Sequence, residues 1–184
     1  MPVSEHERLA VLAVDRGDFR ATLKALMLAY GPLVYRYCLG QLSDADVAED
    51  VRQTVFVQAY RDLPAYDGRA NLRSWLLAIA RHRCLDAQRG AQRRNVREPK
   101  GPVPVPVMEP DTVVERSQIA ELVRRCLAEL PSPSREPVVL RFVSELPYPE
   151  IASITGIKVS TLQMRVSRAM LVLKTCVERH GGSL

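Results

Sequence analysis

Residues 147–168 read PYPEIASITGIKVSTLQMRVSR. Ile151, Ala152 and Ile154 fall on the inner face of one short helix. Gly156 stands where the chain must turn, which predicts positive φ at that residue. Ile157 and Val159 then plug the turn into a core. Ser160 is placed to cap a second helix, whose inner face is Leu162, Val166, Ala169 and Met170. This is helix-turn-helix spacing. Its second helix turns Ser160, Thr161, Gln163, Arg165, Ser167 and Arg168 outward, groups that donate to phosphates or read base edges in a major groove. A plain three-helix bundle with a solvated basic face gives the same pattern, so the motif defines local fold before it defines a ligand.

A second basic stretch lies far upstream. Residues 69–94, RANLRSWLLAIARHRCLDAQRGAQRR, hold seven arginines against a single acid, Asp86. The same stretch carries Leu72, Trp75, Leu76, Ile79, Ala80 and Leu85 at helical spacing. One face is a scaffold stripe; the arginines of the other can follow a phosphate backbone. Trp75 belongs to the stripe, which makes it a packing residue rather than a wedge between bases. The formal charge of the 184-residue chain is +5, and a slightly acidic connector separates the two basic lobes, as suits a polyanion gripped at two places.

The remaining periodicity is helical. Ser4-x-x-Glu7 is a capping box for a short first helix. From Phe19 to Leu42 the apolar residues repeat with a 3.6-residue period, and Gly31-Pro32 is expected to kink or split that helix. Ser43-Asp44 starts another, with Val47, Val51, Val55 or Thr54, and Gln58 or Ala59 inward and acids in its first turns. Residues 96–115 contain five prolines, which favour extended chain over helix and mark a linker. Beyond it, Val114–Leu130 is amphipathic, and a further helix begins after Ser132 or Ser134, with Pro137 in or near its first turn or bending it. No segment alternates as a strand. The expected fold class is all-α: two small helical domains, 1–95 and 116–184, joined by the Pro-rich linker 96–115.

Several function classes are disfavoured. The opening residues, MPVSEHERLA, lack the basic and apolar regions of a secretory signal, and no apolar run is long enough to span a membrane. This predicts a cytoplasmic protein without membrane insertion. Cys38, Cys84, Cys126 and Cys176 are widely spaced, without a C-x-x-C or a nearby histidine pair, and are expected to be small buried hydrophobes. The three histidines, His6, His82 and His180, are scattered, and no acidic cluster has metal-ligand spacing. Neither a metal, a cofactor nor an enzyme is expected.

Taken in order, the two halves resemble the extracytoplasmic-function (group 4) sigma factors of the sigma-70 family. AEDVRQTVFVQAYRDLPAYDGRANLRSWLLAIARHRCLDAQR resembles the acidic-start helix, loop and basic helix of that family's region 2. LPSPSREPVVLRFVSELPYPEIASITGIKVSTLQMRVSRA resembles its region 4. Three positions depart from the usual pattern: His82 stands where Asn is frequent, Gln163-Met164 where Lys-Ser is, and Pro147 where a Ser or Thr cap is. They bear on promoter sequence rather than on class.

The resemblance implies a transcription initiation factor. Its partners would be core RNA polymerase, through the β′ clamp helices and β flap, promoter DNA and, where one exists, an anti-sigma factor. Polymerase binding would fall on Glu49, Asp50, Gln53 and Thr54. Recognition and melting of the −10 element would fall on Arg69, Asn71, Arg73, Arg81, His82, Asp86, Arg89 and Arg93, with the Asp67–Leu72 loop capturing an unstacked base. Recognition of the −35 element would fall on Lys158, Ser160, Thr161, Gln163, Arg165 and Arg168. The alternative is a dimeric helix-turn-helix regulator that never joins polymerase; it leaves the arginine-rich 69–94 helix without a task.

Overall fold

The helix expected after Ser43-Asp44 begins at Ala45 in the computed structural model, which describes residues 5–97 and 114–180, with side chains over 5–93 and 119–180. Asp44 is extended and its Oδ1 accepts the Val47 N–H at 3.0 Å, satisfying one orphan donor of the first turn. The first half is built from α1 (Glu5–Asp15), α2 (Phe19–Leu42), α3 (Ala45–Asp62) and α4 (Leu72–Arg97), with a 3₁₀ turn at Leu63–Ala65. The second is built from α5 (Val114–Glu129), α6 (Ser132–Val138), α7 (Tyr148–Thr155) and α8 (Val159–Arg179), with a π-helical turn at Val139–Val143 after α6. There is no strand among the described residues, so the fold is all-α.

Some local expectations need correction. Pro32 does not split α2, which runs unbroken through it. The carbonyl that a proline frees belongs to the residue four positions earlier, Leu28, which is 56% exposed, so water can serve it. Helix α4 reaches Arg97 and α5 starts at Val114, so both helices enter the range read as linker; residues 98–113 lie outside the described residues, as does Ser4 of the expected capping box. Pro137 sits in the second turn of α6, near the first, and the helix passes into a π turn two residues later. Its missing N–H leaves the Pro133 carbonyl without a helical partner, and Arg165 Nη1 approaches that oxygen at 3.5 Å.

The apolar stripes meet as their spacing requires. Leu26, Val34 and Tyr37 of α2, Val55 of α3 and Leu76 and Leu77 of α4 are fully buried in the first half; Leu140, Leu146, Ile151 and Leu162 are fully buried in the second. In α3 it is Val55, not Thr54, that turns inward. Truncating one such leucine to alanine costs about 2–5 kcal/mol.

The halves also pack on each other. Gly40 of α2 faces Val139, and a Cβ at Gly40 would lie 3.0 Å from the valine's Cγ1. Arg135, half-buried, ties the junction together. Its Nη2 donates to the Ala128 and Leu130 carbonyls at the end of α5, and its Nη1 donates to Gln41 O at 3.0 Å. These are carbonyls that no N–H of their own helices serves.

Candidate nucleic-acid interface

The loop before α4 is shaped by its own side chains. Gly68 has φ +74°, and nothing lies within 4 Å of where its Cβ would be, so the glycine answers a backbone need rather than a packing one. The Asp67 carboxylate accepts from Arg69 N and, at 2.5 Å, from Arg69 Nε; the Arg69 backbone N–H, then its side chain, lowers the pKa of that carboxyl. Arg69 is otherwise free in solvent, its side chain 89% exposed. Tyr66 packs its ring against Trp75 with centroids 5.2 Å apart, and the half-buried indole belongs to the stripe, as expected. Asn71 is the cap of α4: its Oδ1 accepts the Ser74 N–H at 2.7 Å.

The second half covers this end of α4. Glu150 of α7 accepts from Asn71 Nδ2 at 3.2 Å and from Ser74 Oγ at 2.5 Å. Arg73 donates to the Ser144 carbonyl. Arg81 Nε lies 2.8 Å from Glu136 Oε1, with side chains only 18% and 12% exposed. The outward face expected for the arginines is thus divided. Asn71, Arg73 and Arg81 face the second half, because Glu136, the Ser144 carbonyl and Glu150 supply the acceptors there. His82, Asp86, Arg89 and Arg93 remain on the solvent side. His82 Nδ1 is 2.8 Å from the Ala78 carbonyl, and Asp86 sits between Arg83 at 3.4 Å and Arg89 at 3.9 Å.

The helix-turn-helix is formed by α7, Gly156 and α8. Gly156 has φ +73° and its N–H closes on Ala152 O at 2.8 Å, as the turn requires. Ser160 is not a cap: α8 begins at Val159, its cap residue is Lys158, and no side chain caps it. Ile157 and Val159 are half-buried. Met170 is not inward but 38% exposed; the buried line continues instead through Leu173, Cys176 and Val177. Lys158, Ser160 and Gln163 are exposed at the start of α8 and Arg168 is exposed in its third turn, whereas Thr161 and Arg165 are half-buried.

A separate surface lies on α2 and α3. Glu49 pairs with Arg52 at 2.5 Å and accepts from Gln53 Nε2 at 3.2 Å. The Arg52 guanidinium, then Gln53, pulls the Glu49 carboxyl down to about 2. Asp50 is exposed, and its carbonyl accepts from Thr54 Oγ1. Beside these groups runs a groove of about 330 Å³, with Leu23, Met27, Gln53, Phe56, Val57 and Tyr60 in its walls. Met27, Val57 and Tyr60 are 44%, 52% and 47% exposed, which makes an apolar patch next to the polar candidates. The inward positions expected for α3 pass over a second apolar line on that helix, Val57 and Tyr60 at i, i+3.

All four cysteines are buried as expected, but two of them are paired. Cys126 of α5 and Cys176 of α8 form a disulfide; Cys38 and Cys84 are free and buried. Hydrogen bonding with Cys38, together with burial, pushes the Cys84 thiol up.

Comparison with known proteins gives consistent matches. The description Sigma-70 region 2 matches residues 26–94, and Sigma-70, region 4 matches residues 120–173. The ECF RNA polymerase sigma factor SigC of Mycobacterium tuberculosis is 32% identical over 168 residues, covering 90% of this chain and 89% of that one. The RNA polymerase sigma factor YlaC of Bacillus subtilis is 27% identical, covering 84% and 91%. The fold is similar to that of the sigma factor RpoE in its complex with the anti-sigma factor NepR from Bartonella quintana, with a TM-score of 0.73 and 24% identity over 84% of this chain and 96% of that one. It is also similar to CnrH in complex with the cytosolic domain of CnrY, with a TM-score of 0.68 and 22% identity over 96% and 99%.

Proposed function

The chain belongs to the sigma-70 family, in its extracytoplasmic-function group, and from that membership we propose that it is a promoter-specific initiation factor for RNA polymerase. It binds core polymerase, directs it to paired −10 and −35 elements and assists melting. The observation that carries this reading is the order of matches: region 2 over 26–94, then region 4 over 120–173. A helix-turn-helix regulator acting without polymerase needs only the second. As an initiation factor it contributes binding energy and no reaction of its own, and it works in the cytoplasm beside the polymerase. No helix among the described residues is long and apolar enough to cross a membrane.

The candidate residues divide into three tasks. Lys158, Ser160, Thr161, Gln163, Arg165 and Arg168 are assigned to the −35 duplex; the exposed start of α8 supports this, since recognition helices present their N-terminal turns to base edges. Arg69, Asn71, Arg73, Arg81, His82, Asp86, Arg89 and Arg93 are assigned to the −10 element. Capture of an unstacked base at the Asp67–Leu72 loop offsets stacking worth about 1.4 kcal/mol per step. Glu49, Asp50, Gln53 and Thr54, with the neighbouring apolar groove, are assigned to the polymerase clamp.

In the described arrangement the second half occupies Asn71, Arg73 and Arg81. The free chain therefore has little affinity for promoter DNA, and polymerase, by holding the halves apart at a fixed spacing, makes the second DNA contact intramolecular. Size-exclusion with purified core polymerase, followed by footprinting of the reconstituted holoenzyme, tests the proposal. Co-elution and protection of two elements are expected. A chain that dimerises, binds DNA unaided and never co-elutes overturns it.

A further inference from the structure

The disulfide-forming cysteines have two more donors beside them. Cys126 and Glu129 lie three positions apart on α5, and Cys176 and His180 lie four apart at the end of α8. Residues at those spacings share one helix face, and the two faces meet where α5 packs on α8. Both sulfurs and a ring nitrogen of His180 lie within 4.8 Å of one another. Glu129 Oε2 is 3.6 Å from Cys176 Sγ. The two sulfurs are buried, while His180 and Glu129 are exposed, which gives an ion a way in.

We propose that the Cys126–Cys176 pair in its reduced form, together with His180 and Glu129, is a binding site for a thiophilic divalent cation of the Zn²⁺ class. Two thiolates, an imidazole and a carboxylate are a donor set that such an ion takes in four-coordinate geometry, whereas Mg²⁺ and Ca²⁺ require oxygen. With Zn–S bonds of about 2.3 Å, two thiolates on one tetrahedral ion stand about 3.8 Å apart. The Cα atoms are 5.8 Å apart, so rotation of the cysteine side chains reaches that separation with the helices in place. His180 Nδ1 is 2.9 Å from the Cys176 carbonyl. Nδ1 is also the ring nitrogen set against the sulfur, 4.0 Å from Cys176 Sγ, so a turn of the imidazole exchanges the carbonyl for the ion.

The site exists only after reduction. The disulfide takes two electrons and two protons from a dithiol, which is itself oxidised to a disulfide, and two thiols result. The cation then displaces both thiol protons to solvent and is held by the thiolates, with no change in its own oxidation state. In a reducing compartment the thiol form prevails. Occupied, the site pins the far end of α8 to α5. The inference is independent of the promoter reading.

The experiment uses the full chain, reduced with dithiothreitol, freed of reductant under argon and titrated with Co²⁺ as a spectroscopic probe. Expected are one equivalent bound, a thiolate-to-cobalt charge-transfer band, the intense visible bands of a tetrahedral site and their loss on adding Zn²⁺. Cys176→Ser should abolish the charge-transfer spectrum. His180→Ala, at an exposed position that leaves the fold intact, should weaken Zn²⁺ binding by at least about tenfold, and Glu129→Gln should weaken it too. The oxidised chain should bind neither ion tightly. Absence of the thiolate band in the reduced chain, its survival in Cys176→Ser, or unchanged Zn²⁺ affinity in His180→Ala overturns the assignment. The His180→Ala result decides it whatever Cys176→Ser does to folding.

Discussion

Arg81 and Glu136 form a 2.8 Å ion pair between α4 and α6, each largely withdrawn from water. The Arg81 Nε–H does not point along the contact, so this is a charge pair rather than an aligned hydrogen bond. It joins a residue assigned to the −10 element to the other half of the molecule. Removing one charge of a buried pair costs about 3–5 kcal/mol while its partner stays buried. Parting of the halves would instead hydrate Arg81 and avoid that cost. Glu136→Ala should therefore open the molecule rather than unfold it. Small-angle scattering should show a larger radius of gyration, and the isolated chain should bind a single-stranded −10 non-template oligonucleotide more tightly than wild type. An unchanged radius and unchanged affinity would contradict this.

Gly40→Val should produce the same opening from the other side of the junction. Even a Cβ there comes within 3.0 Å of Val139, and two further methyl groups leave no room. Scattering and oligonucleotide binding should move as for Glu136→Ala, without any change in charge.

Asn71→Ala removes a helix cap and should lower stability by about 1 kcal/mol. Asn71→Ser keeps an oxygen for the Ser74 N–H but loses the amide. It should melt thermally near wild type, yet fail to make −10 thymines permanganate-reactive on linear promoter DNA. Normal reactivity in the serine variant would remove Asn71 from the base-capturing loop.

Arg168→Ala should weaken −35 duplex binding by about 1–3 kcal/mol and leave thermal stability and polymerase binding unchanged. Arg165→Ala should do both kinds of damage, because Arg165 also approaches the carbonyl that Pro137 leaves open at Pro133. Fluorescence anisotropy with −35 DNA, beside thermal melts, separates the two arginines.

The Glu49 carboxyl should titrate near pH 2 by NMR, against an ordinary value of 4.5, and Arg52→Ala should return it toward that value. Its folded-state pKa is depressed, so whatever the pair contributes is present above about pH 4.5 and is lost as pH falls toward 2. A midpoint near 4.5 in the wild-type chain would mean that the pair is not formed.

Local features were legible in the sequence because their causes are local. Asp44 caps α3, Gly156 takes the left-handed turn, and Trp75 packs, each for reasons contained within a few residues. Ser160 misleads because a serine near a helix start resembles a cap even when, as here, the helix begins one residue earlier, at Val159, with no side chain capping it. Glu136 and Glu150 look like surface charges; only the tertiary arrangement sets them against Arg81, Asn71 and Ser74. The Cys126–Cys176 pair is hidden for the same reason, since fifty positions separate partners that two packed helices bring together. The surfaces that carry the candidate residues are thus readable from periodicity, whereas their mutual coverage is not.

The π-helical turn at Val139–Val143 has a consequence for insertions and deletions. An α-helix advances by about 100° per residue, so one residue gained or lost re-aims everything downstream. A π turn already accommodates a surplus residue without lengthening the helix in proportion. Deleting one residue between Val139 and Val143 should let this turn relax to α geometry instead of breaking. Leu146 and the two helices beyond it would then keep their azimuth, whereas the same deletion from an α-helical stretch would turn everything after it by about 100°.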